Sequence, residues 1–214
     1  MEKHIIENMN YQKELDKIIE YNKNNNIKPR LLLHSCCAPC TSYCIEYLNE
    51  YFDITLYFYN PNMSSIEEYD KRANELMRLV KEMELDDIDI IIEEFQSSEF
   101  LKAAKGLEDE PERGLRCNEC FKLRLHKSGV YAKENGFDYF TTTLSISPHK
   151  NAKLLNVIGG EIEDTLGIKY LYSDFKKKNG YKRSIELSKE YNLYRQDFCG
   201  CNFSKSYGKR NDSY

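Results

Sequence analysis

The sequence predicts an α/β fold, a mostly parallel sheet flanked by helices. Short β-rich apolar runs alternate with segments of helical periodicity along the chain. No repeat or low-complexity segment breaks that alternation beyond an Asn/Lys run at 22–26. A length of 214 residues suits one domain that buries a real core. The expectation is a single unit over 1–214, with an N-terminal helix (1–25) and a cysteine-containing C-terminal segment (195–214).

Residues 8–22 place Met9, Leu15, Ile18 and Ile19 at helical spacing before "NKNNNIKPR" interrupts the pattern. "RLLLHSCC" predicts a short buried strand, and "APCTSYCIEYLNEY" a helix with Pro39 in its first turn. "ITLYFYNP" predicts a second strand ended by Asn60-Pro61. Residues 64–84 begin with serine ahead of Glu67, a capping-box pattern, and continue helically. "IDIIIEEF" predicts the third strand, followed by an acidic loop containing "EDEPERG". "LRCNECFKLRLHKSGVYAKENG" predicts a helix ending at Gly136, and "FDYFTTTLSIS" a fourth strand stopped by Pro148. A helix over 151–165, a fifth strand "KYLYSDF" and a last helix "RSIELSKEYN" complete the order.

The first residues are charged and lack the apolar run and cleavage site of a secretory signal, and no stretch matches a membrane span. The expected compartment is the cytoplasm, where clustered cysteines more often bind metal or do chemistry than form stable disulfides. The net charge of −4 is divided unevenly. Residues 86–112 hold ten acids against Lys102 and Lys105, whereas Ile168 to the end holds eleven Lys or Arg against five acids. A basic face on an acidic protein suits a phosphate-bearing partner such as RNA, although a solvated Lys-rich surface gives the same charge.

Seven of the eight cysteines fall into three groups: Cys36/Cys37/Cys40, Cys117/Cys120 and Cys199/Cys201. Cys44, one helical turn beyond Cys40, is read as a small apolar residue on a buried helix face. The two-residue spacer of Cys117-Asn-Glu-Cys120 lets both thiolates turn toward one metal. Adjacent Cys36 and Cys37 need an irregular strand end to serve one centre, because neighbouring strand side chains point oppositely. Gly200 suits a tight turn between Cys199 and Cys201. Thiolates suit an iron–sulfur cluster, zinc or a dithiol redox centre, and spacing alone leaves all three open. In open α/β sheets sites form beyond the carboxyl ends of strands. There the sequence places Cys36 and Cys37, Asn60-Pro61-Asn62, and Ser147-Pro148-His149-Lys150.

From residue 31 to 204 the chain resembles the QueH-type epoxyqueuosine reductases. The resemblance is carried by "LLLHSCCAPC", "FYNPN", "EYDKRANE", "EPERGLRCNECFKLRL", "FTTTLSISPHKN", "YLYSDFKKKNGYKRS" and "LSKEYNLYRQDFCGCNFS". It implies a fold related to adenine-nucleotide-binding HUP domains, and reductive removal of the epoxide oxygen of epoxyqueuosine in tRNA. It also implies a [4Fe–4S] cluster beside a second, mononuclear iron, and no cobalamin. Carried onto this chain, Cys36, Cys37, Cys117 and Cys120 match the cluster motif. Cys199 and Cys201 match the C-terminal pair placed at the second metal. Cys40 stands where some relatives have a carboxylate, and is placed there too. Such a reaction takes two electrons and two protons, so an electron donor, unidentified, is a required partner. A cluster can deliver the electrons singly, with the iron as Lewis acid on the epoxide oxygen.

His149, Lys150 and Asp197 are the candidate catalytic groups, the first two for their predicted strand-end position, the third for its place beside the last cysteine pair. Tyr194, Arg195 and Gln196 adjoin that pair and suit hydrogen bonding to sulfur or substrate. Lys176, Lys177, Lys182 and Arg183, with Tyr181 for stacking, form the candidate RNA-binding patch. His34 reads as a hydrogen-bonded core histidine, Asn60 and Asn62 as turn formers, and Glu68–Arg72 as a helical i,i+4 pair. Two other readings carry different expectations. A cluster-dependent tRNA thiolation enzyme uses a Gly-rich ATP loop after the first strand, where this chain has "HSCCAPC". A zinc-stabilised RNA-binding module needs fewer sulfurs than the seven grouped here.

Overall fold

The computed structural model describes residues 3–196 and 198–204. Helices α1 (Lys3–Asn8) and α2 (Tyr11–Asn25) lead into strand β1 (Arg30–His34), helix α3 (Ala38–Leu48) and strand β2 (Asp53–Phe58). Next come α4 (Ile66–Glu82), β3 (Asp89–Ile92), α5 (Ser97–Ala104), α6 (Leu115–Glu134) and β4 (Tyr139–Thr142). A short 3₁₀ turn over Thr143–Ile146 precedes α7 (Ala152–Leu166), β5 (Lys169–Tyr170) and α8 (Gly180–Glu190).

All strand pairings are parallel and their order is β3-β2-β1-β4-β5. The predicted α/β class, with a parallel sheet between helices, is therefore the observed one. Chain direction across the sheet reverses between β1 and β4, and a crevice opens at such a switch point beyond the strands' carboxyl ends. Both faces of β1 are covered, as its unbroken Leu run requires. Leu31 and Leu33 pack with Leu56, Phe58 and Leu76 on one side, and Leu32 with Tyr57, Phe140 and Ile158 on the other.

Local chemistry fixes the ends that matter for the site. Pro39 stands in the first turn of α3, directly after Cys37, so the chain leaves β1 and turns helical within a few residues. Ser65 caps α4 by accepting from the Glu68 amide (3.4 Å), while Glu68 turns its carboxylate to Arg72 (2.7 Å to Nε) rather than back to the cap. Asn151 caps α7, and Gly167 ends it at φ +75°.

Four expectations need correction. The N-terminal helical segment is two helices, because Asn10 caps a new start at Tyr11 by accepting from the Lys13 amide. The fourth strand stops at Thr142, whose hydroxyl accepts from the Leu144 amide (3.1 Å) and closes a 3₁₀ turn where β-branched residues suggest strand. The fifth strand is only Lys169–Tyr170, since Asn156 takes over the backbone of Ser173 at both its N–H and its carbonyl (2.9 Å each). Helix α5 interrupts the expected acidic loop, buried through Phe100 and Ala104 at i,i+4 spacing.

Candidate active site and metal centre

The switch-point crevice gathers the three cysteine groups. Cys36 and Cys37 lie just past the end of β1, outside regular strand geometry, with their sulfurs 3.7 Å apart. With Cys40, in the first turn of α3, they bring three sulfurs within 4.8 Å of one another. Cys117 and Cys120 sit three residues apart near the start of α6, and the Arg113 amide donates to Cys117 Sγ (3.2 Å). Cys44 is fully buried and donates to the Cys40 carbonyl (3.3 Å), in keeping with a packing role.

The C-terminal pair arrives on a strap over residues 198–204. Ser64 donates its amide to the Gly200 carbonyl (2.8 Å). Arg72, only 2% exposed, pairs with Glu68, donates to the Cys199 carbonyl (3.4 Å) and lies over the Phe198 ring. Thus Arg72 does more than pair along its own helix. It fastens the cysteine strap to α4. Gly200 is held at φ +106°, where a side chain would meet Met63 Sδ and the Arg72 guanidinium. Farther along, Phe203 packs on Phe100 and under the Arg116 guanidinium.

Two adjoining cavities result. The first, about 250 Å³, is lined by Cys36, Cys37, Cys40 and Cys199 together with Tyr181 and Gln196. The second, about 310 Å³, is lined by Cys117, Cys120, Cys199 and Cys201 together with Asn62 and Phe121. Cys199, His149, Lys150 and Glu112 belong to the walls of both.

Electrostatics favour negative charge in this crevice. Arg124 is 2% exposed and donates to His34 Nε2 (3.3 Å) and Asn60 Oδ1. Among the described residues no carboxylate is bonded to it. A buried cation with only neutral partners is costly unless an anion faces it. Hydrogen bonds from Cys37 and Cys40 hold the Cys36 thiol well below its usual range, aided by Lys150 and Arg124 and opposed by burial. The bond to Cys36 pushes Cys37 up to about 11, and burial pushes Cys120 up to about 12. Burial alone would lower the Lys150 pKa, but its Coulombic interaction with Cys199, Cys36 and Cys40 outweighs burial and raises it. His34 is the hydrogen-bonded core histidine expected, with Nδ1 2.8 Å from Thr142 Oγ1 and its pKa lowered to about 3 chiefly by burial.

The remaining predicted residues are distributed as follows. His149 is exposed on the shared wall, its Nδ1 2.6 Å from Arg113 Nη2. Lys150 is half-buried on the same wall. Gln196 faces the first cavity, Arg195 bonds Ser188 Oγ (3.1 Å), and Tyr194 lies under Lys71. Asp197 lies outside the described residues. In the basic patch, Lys176 is committed to the Ser145 carbonyl (2.7 Å) and Asp174, and Arg183 to Glu46 (2.6 Å). Lys177 and Lys182 are exposed, and Tyr181 reaches the first cavity. Asn60 joins Ser35 to Arg124 as a structural link, whereas the side-chain amide of Asn62 has no hydrogen-bond partner among the described residues.

Sequence reasoning missed Arg124 and Arg116. A signal existed: Arg116, Cys120, Arg124 and Ser128 recur every four residues, so a buried Cys120 implies two buried arginines on its stripe. Arg116 donates to the carbonyls of Leu107, Glu108 and Glu110, and so folds the acidic loop against the second cavity.

Three sulfurs close enough to share one ion, faced by a buried arginine, define an α/β protein able to hold a metal on thiolates. The family model described as epoxyqueuosine reductase QueH matches residues 31–207, and the chain belongs to that family of oxidoreductases. It is 44% identical to the epoxyqueuosine reductase QueH of Staphylococcus epidermidis, over 92% of this chain and 84% of that protein. The QueH of Streptococcus pyogenes serotype M1 is 41% identical over 90% of this chain and 77% of its own length. That of Thermotoga maritima is 34% identical over 81% and 89%. Among the described residues no helix is long and apolar enough to cross a membrane.

Proposed function

We propose that this chain reductively removes the epoxide oxygen of epoxyqueuosine in tRNA to give queuosine, using a [4Fe–4S] cluster and an adjacent mononuclear iron, without cobalamin, in the cytoplasm. The observation that carries the reading is convergence: seven thiols from three distant segments line two adjoining cavities that share Cys199. The donor set fits such a centre. Thiolates are soft ligands for iron–sulfur clusters, and Arg124 and Lys150 offer positive charge to balance an anionic thiolate-bound group. In this reading Cys36, Cys37, Cys117 and Cys120 hold the cluster, and Cys40, Cys199 and Cys201 hold the single iron. The whole chain, 1–214, acts as one domain.

When bound, the metals would supply electrons one at a time and polarise the epoxide oxygen. Two C–O bonds break, an alkene forms, and two electrons from a separate donor with two protons convert the oxygen to water. Lys150 holds a proton at Nζ on the wall common to both cavities. His149, oriented by Arg113, presents a second proton-bearing group there, and Asp197 is the third candidate. Met63, Leu144 and Ile146 give the first cavity an apolar wall that limits water. Lys177 and Lys182 reach for phosphate, and Tyr181 offers a ring on the wall of the first cavity for an unstacked base. Lys176 and Arg183 brace that surface through Ser145 and Glu46.

Anaerobic reconstitution with iron and sulfide, then assay on epoxyqueuosine-containing tRNA with a chemical reductant, tests the reading. Queuosine should form only with metal-loaded protein. Reduction at full rate after all iron is removed would overturn it.

A further inference from the structure

The turn after β2 carries a residue whose chemistry the fold does not use. Asn62 is 2% exposed and lines the second cavity, yet among the described residues neither its side-chain amide nitrogen nor its amide oxygen has a hydrogen-bond partner. Its neighbour Asn60 shows what a structural amide does here, bonding Ser35 on one end and Arg124 on the other. Leaving a buried donor and acceptor unmade is costly, so an amide placed in this state is suited to a ligand that can satisfy both ends.

The required ligand can be specified. The groups around Asn62 in this cavity include Cys117, Cys120, Cys199 and Cys201. Thiolate or sulfide sulfur can accept from Nδ2, but it has no proton to give Oδ1. Lys150, on the same wall, is not bonded to Asn62. A neutral group that both donates and accepts, such as an alcohol hydroxyl, answers both ends of the amide.

We propose that Asn62 is a substrate-binding residue that hydrogen-bonds a hydroxyl-bearing ring of the modified nucleoside in the second cavity, Oδ1 accepting from the hydroxyl and Nδ2 donating to a ring oxygen or to sulfur. The inference rests on the reductase reading above and goes further in assigning the ring to the Cys117/Cys201 side of the shared wall.

The test compares wild type, Asn62→Ala and Asn62→Asp, each reconstituted anaerobically. Turnover on epoxyqueuosine-containing tRNA, affinity for a product stem-loop bearing queuosine, iron content and thermal midpoint are measured. Asn62→Ala should lower kcat/KM and stem-loop affinity about 10- to 100-fold, the loss of one or two ligand hydrogen bonds. Its iron content should be unchanged and its midpoint equal or higher, because no intramolecular bond is removed. Asn62→Asp, which keeps an acceptor, should lose less affinity than Asn62→Ala. Unchanged kcat/KM and affinity in Asn62→Ala, or losses that merely track iron or midpoint, would overturn the inference. Failure of the wild-type protein to reduce the tRNA would instead overturn the reductase reading.

Discussion

Replacing Gly200 by alanine should release the cysteine strap while leaving the rest of the molecule folded. Gly200 sits at φ +106°, where a residue with a Cβ is strained by about 1–3 kcal/mol. The added Cβ would also lie 2.6 Å from Met63 Sδ and 3.1 and 3.2 Å from the two terminal nitrogens of Arg72. Met63 can move its flexible end. Arg72 cannot yield without loosening its bonds to Glu68 (2.7 Å) and to the Cys199 carbonyl (3.4 Å), and a hydrogen bond to a charged group contributes about 1.5–3 kcal/mol. Together these contributions come to about 2.5–6 kcal/mol, concentrated on the strap. The expected result is a metal content well below wild type after anaerobic reconstitution, and faster alkylation of Cys199 and Cys201 in the metal-free protein. Alkylation of Cys44 should stay slow, because it is buried in α3. Full metal content with wild-type alkylation rates would refute the strap argument.

Further expectations follow from the same geometry. Arg72→Ala should resemble Gly200→Ala in metal loss, read by iron quantification, because it removes the tether to Cys199 rather than the turn itself. Lys177→Glu with Lys182→Glu should weaken tRNA binding and reduce the slope of log K against log salt by about 2, one for each lost phosphate contact. Acid should destabilise the metal-free protein through His34: its pKa is about 3 folded against about 6.5 unfolded, so below pH 6.5 the unfolded chain takes up a proton that the folded state refuses. Stability then falls as pH drops toward 3, by about 1.4 kcal/mol per unit and about 2 kcal/mol by pH 5, and His34→Gln should lack this component in chemical denaturation.

Much of the fold was legible because β1 and β2 are apolar and bounded by clear breaks, and α4 and α6 have strong periodicity. Their order sufficed to place Cys36 and Cys37 beyond a strand end. What was not legible arose from side chains acting on distant backbone. Thr142 ended a run of strand-forming residues through its own hydroxyl, and Asn156 replaced the outer part of β5 with side-chain bonds. Helix α5 hid inside an acidic segment whose Phe100 and Ala104 face inward. At the site, residue types announced the sulfurs but not the charges around them. Arg72 read as an ordinary helical ion pair, and only the folded chain brings it against Cys199. Arg183 and Lys176 read as free basic groups, and folding supplies them with Glu46 and Ser145. Asn60 and Asn62 read alike as turn residues, and burial without a partner separates the second from the first.

The central claim is that sulfurs from three parts of the chain gather iron into one crevice where an epoxide is reduced. Diffraction from anaerobically reconstituted crystals, collected on both sides of the iron absorption edge, tests it most directly. The account predicts iron anomalous density for a cluster within reach of the Cys36, Cys37, Cys117 and Cys120 sulfurs, and for a separate iron within reach of the Cys40, Cys199 and Cys201 sulfurs. Zinc alone in those cavities, in a preparation that still reduces epoxyqueuosine in tRNA, would contradict it.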